Sequence, residues 1–328
     1  MPRIGMNPAR NQLSGYKPAR ITLAMLTHVP NLGGYFEHRF DVLQLSLESL
    51  ILNTPQPNDL MVFDNASCPE VVDYLRQLRD QGHIQFLILS SENIGKIGAL
   101  QILFRSAPGE IVAYTDDDIF FLPGWLDEHM KIMEAFPQVG MATGFYIRSH
   151  MSYGIQSTLK FARQDGVAIK TGSLIPKEME DHYVENMGRT WESYTEEIQG
   201  CEDMLLTYHG VEALVSAGHH QFVAPRQVIL DVLPKQWGGQ LMGRMLELDN
   251  AVDQLGYLRL STRPFVTRLL GNMISAENAK LANGLGLSAT GKLRPRNSST
   301  GLGRIYRIPM IRRLMQGFYN RLHKALYT

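Results

Sequence analysis

The chain has 328 residues, 44% of them hydrophobic, which is enough for one large α/β domain with or without an appendage. Its 32 basic and 32 acidic residues cancel and only two cysteines occur, which argues against a disulfide-rich secreted domain and favours a reducing compartment. No run approaches the roughly 20 apolar residues that cross a bilayer, and the N-terminus lacks an apolar signal segment, so we expect a cytoplasmic protein.

Short apolar runs alternate with helical patterns from Arg20 onward. The expected strands are residues 21–26, 59–63, 84–89, 110–114 and 139–147. The expected helices between them are residues 40–52, 69–79, 94–104 and 125–136. Strand–helix units with short connections predict an α/β fold with a mainly parallel sheet, right-handed crossovers and flanking helices.

The second half of the chain is less regular. Polar residues at 149–208 interrupt the alternation, and we interpret them as an irregular insertion beside the active site. The alternation resumes with a strand at 221–224, helices at 227–233 and 247–255, and a strand at 257–261. Residues 279–303 are rich in Gly, Ser and Asn and predict a flexible linker. The predicted divisions are an extension at 1–19, a regular first half at 20–148, a less regular second half at 149–278, and a linker and tail at 279–328.

The charges are unevenly distributed. No acidic residue follows Glu277, whereas ten of the 32 basic residues do, so the preceding part has 22 basic against 32 acidic residues. Residues 308–327 have the pattern of an amphipathic basic helix, which predicts either binding to an anionic membrane surface or packing on the body. The acidic body argues against nucleic acid as a partner of the catalytic part.

Three consecutive carboxylates, Asp116, Asp117 and Asp118, directly follow the apolar run at 110–114. Ligands bind beyond the carboxyl ends of parallel strands, where buried carboxylates are costly unless they meet a cation. Asp116 and Asp118 could converge on one Mg²⁺ or Mn²⁺ that holds phosphate oxygens. The alternative is a solvated acidic turn.

Polar residues also follow the neighbouring strands. Asp64 and Asn65 end the second strand, where Asp64 can accept a hydrogen bond from a nucleobase or, alternatively, cap the next helix. Asn93, Gly95 and Lys96 open the third helix, where a glycine permits close approach of a phosphate and the helix start favours anions. The alternative for this segment is an ordinary helix start.

The order of these segments resembles the nucleotide-binding half of family 2 glycosyltransferases, over residues 20–148. The resemblance implies a GT-A fold in which Thr27 lies near the nucleotide and Asp64 contacts the base. It identifies the triple aspartate as a DXD-type motif, with Asp116 near the ribose and diphosphate and Asp118 as the metal ligand.

The resemblance extends more loosely into the second half. The acidic segment containing Glu247 and Asp249, followed by a Gly-Tyr turn, is similar to the family's catalytic-base motif. It implies that Asp249, or else Glu247, is the general base, although acids at a helix start also favour the helix dipole. The pair Glu202-Asp203 is a rival that falls too early in the chain.

Two further positions bear on the metal. Relatives commonly carry a His where this chain has Arg268, and an arginine can neutralise a diphosphate but cannot ligate a cation. His219 and His220 are adjacent, so on a strand they would point to opposite faces, which argues against a metal-binding pair.

Together these features predict an inverting glycosyltransferase with a divalent metal, Mn²⁺ or Mg²⁺. Its donor would be a nucleotide-diphospho-sugar, a UDP-sugar by family frequency, and its acceptor a carbohydrate or lipid-linked hydroxyl in surface polysaccharide or glycolipid synthesis. The alternatives are a non-catalytic binding protein on the same scaffold and a sugar-phosphate nucleotidyltransferase. A sugar-phosphate nucleotidyltransferase normally has a glycine-rich phosphate loop after its first strand. Residues 27–34 match such a loop poorly.

Overall fold

The structure is a computed structural model that describes residues 5–236 and 239–289. In these residues the strands are β1 (Ile21–Thr27), β2 (Asp59–Asn65), β3 (Phe86–Ser90), β4 (Ile111–Asp116), β5 (Ile119–Phe121), β6 (Val139–Thr143), β7 (Ala168–Gly172), β8 (Asp203–Tyr208), β9 (Val211–Val215), β10 (Gln221–Pro225), β11 (Leu258–Thr262) and β12 (Thr267–Leu269). The helices are α1 (Arg39–Asn53), α2 (Pro69–Asp80), α3 (Gly95–Ser106), α4 (Trp125–Ala135), α5 (Gln156–Ala162), α6 (Lys177–Asn186), α7 (Trp191–Glu197), α8 (Arg226–Val232), α9 (Met245–Gln254) and α10 (Ala276–Gly284).

The main sheet has the strand order β3-β2-β1-β4-β10-β6-β11-β9-β8-β7. Its first four strands are parallel, whereas β10 runs antiparallel between β4 and β6. The chain moves outward from β1 through β2 to β3 and then returns to place β4 on the other side of β1. This reversal is a topological switch point, and a crevice for ligands forms at such a point, outside the carboxyl ends of the strands.

Strand β1 shows how the sheet is covered on both faces. Leu23 and Met25 belong to one apolar cluster with residues of α1 and α2, and Ala24 and Leu26 belong to another with residues of α3, α8 and α9. Alternate side chains of a strand point to opposite faces, so a continuous apolar run is what a sheet buried on both sides requires. Around β1 the core therefore consists of two apolar layers, one on each face of the sheet.

The predicted α/β fold with flanking helices is confirmed. Each strand and helix predicted between residues 21 and 136 forms, with its ends shifted by only one or two residues. The short sheet of β5 and β12 was not predicted, because each strand has only three residues and they are far apart in the chain.

The prediction that residues 149–208 form an irregular insertion is wrong. This segment contains three helices and the strands β7 and β8, and β8 pairs antiparallel with β9 to extend the main sheet. The outermost strand, β7, is exposed along most of its length, so its sequence carries little of the apolar alternation that predicts a strand.

The linker predicted from residue 279 is also wrong at its start, because α10 continues to Gly284. Ser275 caps this helix by accepting a hydrogen bond from the Asn278 N–H, and Ala279 and Ala282 are buried in an apolar cluster with residues of α1. The rest of the predicted linker from residue 290, and the basic tail at 308–327, lie outside the described residues. Within the described part, none of the helices is both long enough and apolar enough to cross a membrane.

Candidate active site

The carboxyl ends of β1, β2 and β4 bring the predicted site residues to one edge of the sheet. Thr27 is the register partner of Asp64, and Leu26 is the partner of Asp116. This edge is the switch point between β1 and β4, so the triple aspartate and Asp64 flank the position where a ligand of this fold would bind.

Asp117 is the most enclosed of the three consecutive carboxylates. Its side chain is 8% exposed, the hydroxyl of Thr27 donates a 2.6 Å hydrogen bond to Oδ2, and the guanidinium of Arg39 bonds to Oδ1. Arg39 also reaches Asp118 Oδ2 at 3.1 Å and donates to the Gly271 carbonyl at 2.8 Å. Arg39 therefore ties the triple aspartate to the segment that follows β12.

Asp118 is the most accessible of the three, with 32% of its side chain exposed. Burial, together with the like charges of Asp117 and Asp116, raises its pKa to about 6, and Arg39 opposes that shift. A carboxylate held in this way gains from a further cation. Asp118 therefore fits the role of an oxygen ligand to a hard divalent metal.

Asp116 already has a cationic partner. The Lys96 ammonium lies 2.7 Å from Oδ1 and 2.8 Å from Oδ2, and the Tyr114 hydroxyl also donates to Oδ1. Burial opposes ionisation of Asp116, but Lys96 outweighs that effect, and the pKa of Asp116 is lowered. This carboxylate is less suited to a metal than Asp118. In the part of the chain that the structure describes, no group of three or more His, Cys, Asp or Glu could hold a metal ion.

Arg268 is placed differently from its expected role beside the diphosphate. Its guanidinium donates to Glu277 Oε1 and lies 3.2 Å from the Nδ1 of His182, while its own strand β12 pairs with β5. Arg268 thus holds α10 against the short sheet. Arg39, which the sequence analysis did not single out, supplies the positive charge beside Asp118.

Asp64 is 1% exposed, and its Oδ2 accepts a hydrogen bond from the Ser67 backbone N–H at 3.1 Å. Its Oδ1 is buried and has no hydrogen-bond partner among the described residues. Desolvation raises the pKa of Asp64. Helix α2 starts after Cys68 without a side-chain cap, so helix capping does not explain Asp64. A buried carboxylate oxygen without a partner is costly, which favours a ligand donor at this position.

The two asparagines of the site hold the loop before α3. Asn65 donates from Nδ2 to Asn93 Oδ1 and accepts from the Ile94 N–H, both at 2.9 Å. Asn93 Oδ1 also accepts from the Gly95 N–H at 2.9 Å, and its amide lies 3.1 Å from the Nε2 of His28. These contacts hold the loop before α3 against the carboxyl ends of β1 and β2.

The start of α3 is occupied by the chain itself. The Lys96 N–H donates to the Leu241 carbonyl at 2.7 Å, and Gly95 has φ +75°. A Cβ on Gly95 would lie 2.6 Å from the Gln240 carbonyl oxygen, so the glycine permits close approach of this chain's own backbone rather than of a phosphate. A cavity of about 270 Å³ lies beside this contact, and Glu247 is among its lining residues.

Asp249 is fully buried in α9 and surrounded by polar partners. Its Oδ2 lies 2.8 Å from the Nδ1 of His219, 3.4 Å from the Arg259 guanidinium and 3.5 Å from the Tyr153 hydroxyl. By contrast, the side chain of Glu247 is 57% exposed and pairs with Arg244 at 3.2 Å. The two acids of the predicted catalytic-base motif therefore lie in different environments, and only Asp249 is part of a polar cluster.

His219 was missed as a partner of Asp249, because the expectation of opposite faces assumed that both histidines lie on a strand. Strand β10 begins only at Gln221, so this expectation does not apply. The backbone of His220 instead accepts a 2.8 Å hydrogen bond from the Asp116 N–H, which places this turn beside the triple aspartate.

The rival base Asp203 is a structural anchor. Its carboxylate accepts two hydrogen bonds from Arg148, one from Tyr146 and one from the Leu174 N–H, and it has no exposed surface. The neighbouring Glu202 is exposed. A carboxylate with both oxygens occupied by fixed partners has no remaining place for an acceptor hydroxyl.

Residues 35–189 match the sequence model of a family described as Glycosyl transferase family 2. The resemblance given by the motifs is confirmed over this segment. A comparison with curated proteins found no match.

Three solved structures are similar to parts of this chain. Mannosyltransferase PcManGT from Pyrobaculum calidifontis, in complex with GDP-Man and Mn²⁺, is 24% identical over 39% of this chain and 36% of its own, with a TM-score of 0.32. S. aureus TarS 1–349 is 12% identical over 75% and 58%, with a TM-score of 0.43. GalNAc-T7 with UDP, GalNAc and Mn²⁺ is 14% identical over 76% and 44%, with a TM-score of 0.47. The match covers less than two thirds of the length of each of these three proteins.

Proposed function

We propose that this chain, whose residues 35–189 match family 2 glycosyltransferases, transfers a sugar from a nucleotide-diphospho-sugar to an acceptor hydroxyl. The observation that carries the proposal is the group of acidic side chains at the switch point of the sheet. Asp64 presents a buried oxygen without a partner, and Asp118 presents the most accessible carboxylate of the triple aspartate. An acceptor for a nucleoside N–H and an accessible carboxylate for a metal at the same edge of the sheet are what a nucleotide diphosphate would use.

The donor half of the proposed site combines fixed charges of both signs. A divalent metal, Mn²⁺ or Mg²⁺, would be held by Asp118 and would supply charge stabilisation to the leaving diphosphate. Lys96 and Arg39 add positive charge next to the carboxylates, and their ion pairs also hold Asp116 and Asp117 in place. Asp64, with Thr27 beside it, would receive the nucleoside.

The acceptor half would lie beside the β9–β10 turn and the start of α9. Asp249 is our proposed source of general-base catalysis, because it is the acid of the predicted motif that lies among polar partners, next to the backbone that contacts Asp116. Direct attack of the deprotonated hydroxyl at the anomeric carbon would expel the nucleoside diphosphate in one displacement. A single displacement inverts the anomeric configuration and needs no covalent sugar–enzyme intermediate.

The finer assignments are proposals that rest on the resemblance to this family. We propose a UDP-sugar as the first donor to test and a carbohydrate or lipid-linked acceptor in surface polysaccharide or glycolipid synthesis. We further propose a cytoplasmic protein whose basic tail could bind the inner face of a membrane.

Release of nucleoside diphosphate tests the proposal without knowledge of the acceptor. Purified full-length protein is incubated with UDP-Glc, UDP-Gal, UDP-GlcNAc and GDP-Man, with Mn²⁺, with Mg²⁺ and with EDTA. We expect one donor to be hydrolysed in a metal-dependent reaction, with the initial sugar product in the inverted configuration by NMR. Asp118→Asn should lower this rate at least 100-fold, while the exposed Glu247→Gln should leave it within twofold.

Two outcomes would contradict the proposal. Nucleotide binding without hydrolysis of any donor would favour the non-catalytic binding protein. Formation of a nucleotide-sugar from a sugar phosphate and a nucleoside triphosphate would favour the nucleotidyltransferase instead.

A further inference from the structure

We propose that His219 is the catalytic residue that takes the proton from the acceptor hydroxyl, and that Asp249 is the positioning residue behind it. This inference rests on the proposed transferase function and deepens its acceptor side. It changes the role of Asp249, which would act through the imidazole rather than on the acceptor itself.

His219 and Asp249 differ in solvent exposure. Asp249 has no exposed surface, so an acceptor hydroxyl cannot reach its carboxylate directly in this arrangement. The His219 side chain is 28% exposed and lies 2.8 Å from Asp249 through Nδ1. The imidazole is therefore the part of this pair that faces the solvent side of the site.

The hydrogen bond fixes which ring nitrogen is free. An ionised carboxylate only accepts hydrogen bonds, so the Nδ1 of His219 must carry the proton that bonds to Asp249. In the neutral imidazole the lone pair then lies on Nε2, which is the tautomer that a general base requires. The orientation of the ring and its tautomer are both set by Asp249.

Arg259 stabilises this arrangement from the buried side. It has no exposed surface, and its guanidinium lies 3.4 Å from Asp249 Oδ2 and also donates to the Ala217 carbonyl. Ala217 lies two residues before His219, so one side chain holds both the carboxylate and the turn that carries the imidazole. Tyr153 lies 3.5 Å from the same carboxylate oxygen. These contacts of Asp249 and Arg259 hold the imidazole of His219 more firmly than an ordinary surface histidine is held.

The location of the pair fits a role at the reacting centre. The turn that carries His219 leads into β10, which pairs antiparallel with β4 and begins beside the triple aspartate, with Gln221 opposite Thr115. The Asp116 N–H bonds to the His220 carbonyl at 2.8 Å, so the imidazole is one residue from a direct backbone contact with the donor half. A base for the acceptor has to lie next to the donor half of the site, which is where this turn lies.

The proposed step transfers one proton to His219 and one glycosyl group to the acceptor oxygen. The O–H bond of the acceptor breaks and its proton moves to Nε2 of His219, giving an imidazolium beside the Asp249 carboxylate. The acceptor oxygen forms a bond to the anomeric carbon, and the bond from that carbon to the diphosphate oxygen breaks with its electron pair. The nucleoside diphosphate leaves, and the proton later passes from Nε2 to water.

Three variants separate basicity from structure in the donor-hydrolysis assay, where water is the acceptor. His219→Asn places an amide N–H near the position of Nδ1, so it keeps the hydrogen bond to Asp249 but cannot take a proton. We expect it to lower the hydrolysis rate at least 100-fold while nucleotide-induced thermal stabilisation is unchanged. Asp249→Asn should also lower the rate at least tenfold, and His83→Asn, an exposed control on the loop between α2 and β3, should lower it less than twofold.

Rescue by free imidazole gives a readout that a purely structural role would not produce. His219→Gly should regain activity in proportion to added imidazole, whereas His83→Gly should not respond. A His219→Asn rate within threefold of the parent, or a His219→Gly variant that imidazole does not rescue, would overturn the role of His219. Either result could occur with an active parent enzyme, so it is distinct from failure of the proposed function, in which the parent itself hydrolyses no donor.

Discussion

Arg148 and Asp203 form a buried pair in which the guanidinium donates from Nε to Oδ1 at 2.8 Å and from Nη2 to Oδ2 at 2.9 Å. The second terminal nitrogen of Arg148 reaches Glu180 at 2.6 Å, and Tyr194 donates to the same carboxylate at 3.0 Å. This network joins β8 to α6 and α7. It explains why an acidic pair that resembles a catalytic motif in sequence serves the fold instead.

Replacement of Asp203 should therefore destabilise the protein rather than alter its chemistry. Asp203→Asn removes one of the two carboxylates, Asp203 and Glu180, that pair with the buried Arg148, and we expect a loss of about 3 kcal/mol in the free energy of unfolding. Urea denaturation measures this loss. Glu202→Gln is the matched control and should change stability by less than about 0.5 kcal/mol. A stable Asp203→Asn protein that has lost donor hydrolysis would show instead that Asp203 is catalytic.

Asp64 should determine recognition of the nucleoside but not of the phosphates. We expect Asp64→Ala to weaken binding of the preferred nucleoside diphosphate at least tenfold, because one charge-assisted hydrogen bond contributes about 1.5–3 kcal/mol. Binding of inorganic pyrophosphate with Mn²⁺ should change less than twofold. Isothermal titration calorimetry measures both affinities. Equal weakening of the two ligands would mean that Asp64 acts through the general charge of the site.

Gly95 should be intolerant of a side chain for a steric reason beyond its backbone angle. Gly95 and Gly124 have φ of +75° and +77°, but only at Gly95 would a Cβ meet backbone, 2.6 Å from the Gln240 carbonyl oxygen. We expect Gly124→Ala to cost about 1 kcal/mol of stability and Gly95→Ala clearly more. Chemical denaturation compares the two variants. Equal costs would show that the contact between α3 and residues 240–241 is easily displaced.

His129 should make the protein sensitive to mild acid. It is fully buried between Trp125 and Gln221, and desolvation lowers its pKa from 6.5 to about 4. The unfolded chain therefore binds a proton that the folded chain does not, so stability is complete above pH 6.5 and falls as the pH decreases toward 4. One such group contributes a slope of up to about 1.4 kcal/mol per pH unit.

The variant His129→Gln keeps a side chain that can bond to the same partners but removes the titration. We expect its unfolding free energy to change less with pH between 6.5 and 4 than that of the parent. The slope should be smaller by up to about 1.4 kcal/mol per pH unit, as measured by urea denaturation at several pH values. His83→Gln, at an exposed position, should keep the slope of the parent. An unchanged slope in His129→Gln would contradict a neutral buried imidazole.

Sequence patterns predicted the first half of the fold because its signals are local. Each strand of the parallel part is an apolar run, and each covering helix has an apolar stripe. Both can be read within a short window of residues. Strand β7 was missed because it is mostly exposed and is held by its pairing with β8, and helix α10 was missed because its burial depends on α1, which is distant in sequence.

The sequence singled out the acidic residues of the candidate site, together with Thr27 and Lys96, but not the ion pairs that they form. Asp116 pairs with Lys96 and Asp117 pairs with Arg39, 20 and 78 residues away, and no motif spacing encodes such contacts. The same holds for His219 and Asp249, which are 30 residues apart and meet where the turn before β10 contacts α9. The residue types predicted where charged side chains cluster, whereas the tertiary structure determines which of them form ion pairs.

Thermal unfolding of the full-length protein tests the central claim, a metal-assisted nucleotide site at the switch point, most directly. The unfolding temperature is recorded with UDP, GDP, CDP and dTDP, each in Mn²⁺, in Mg²⁺ and in EDTA. We predict a rise of roughly 5 °C with one nucleotide at saturating concentration, larger with metal than with EDTA, and loss of the metal-dependent part in Asp118→Asn. The absence of a shift with any of the four nucleotides, in a protein that unfolds cooperatively, would contradict the claim.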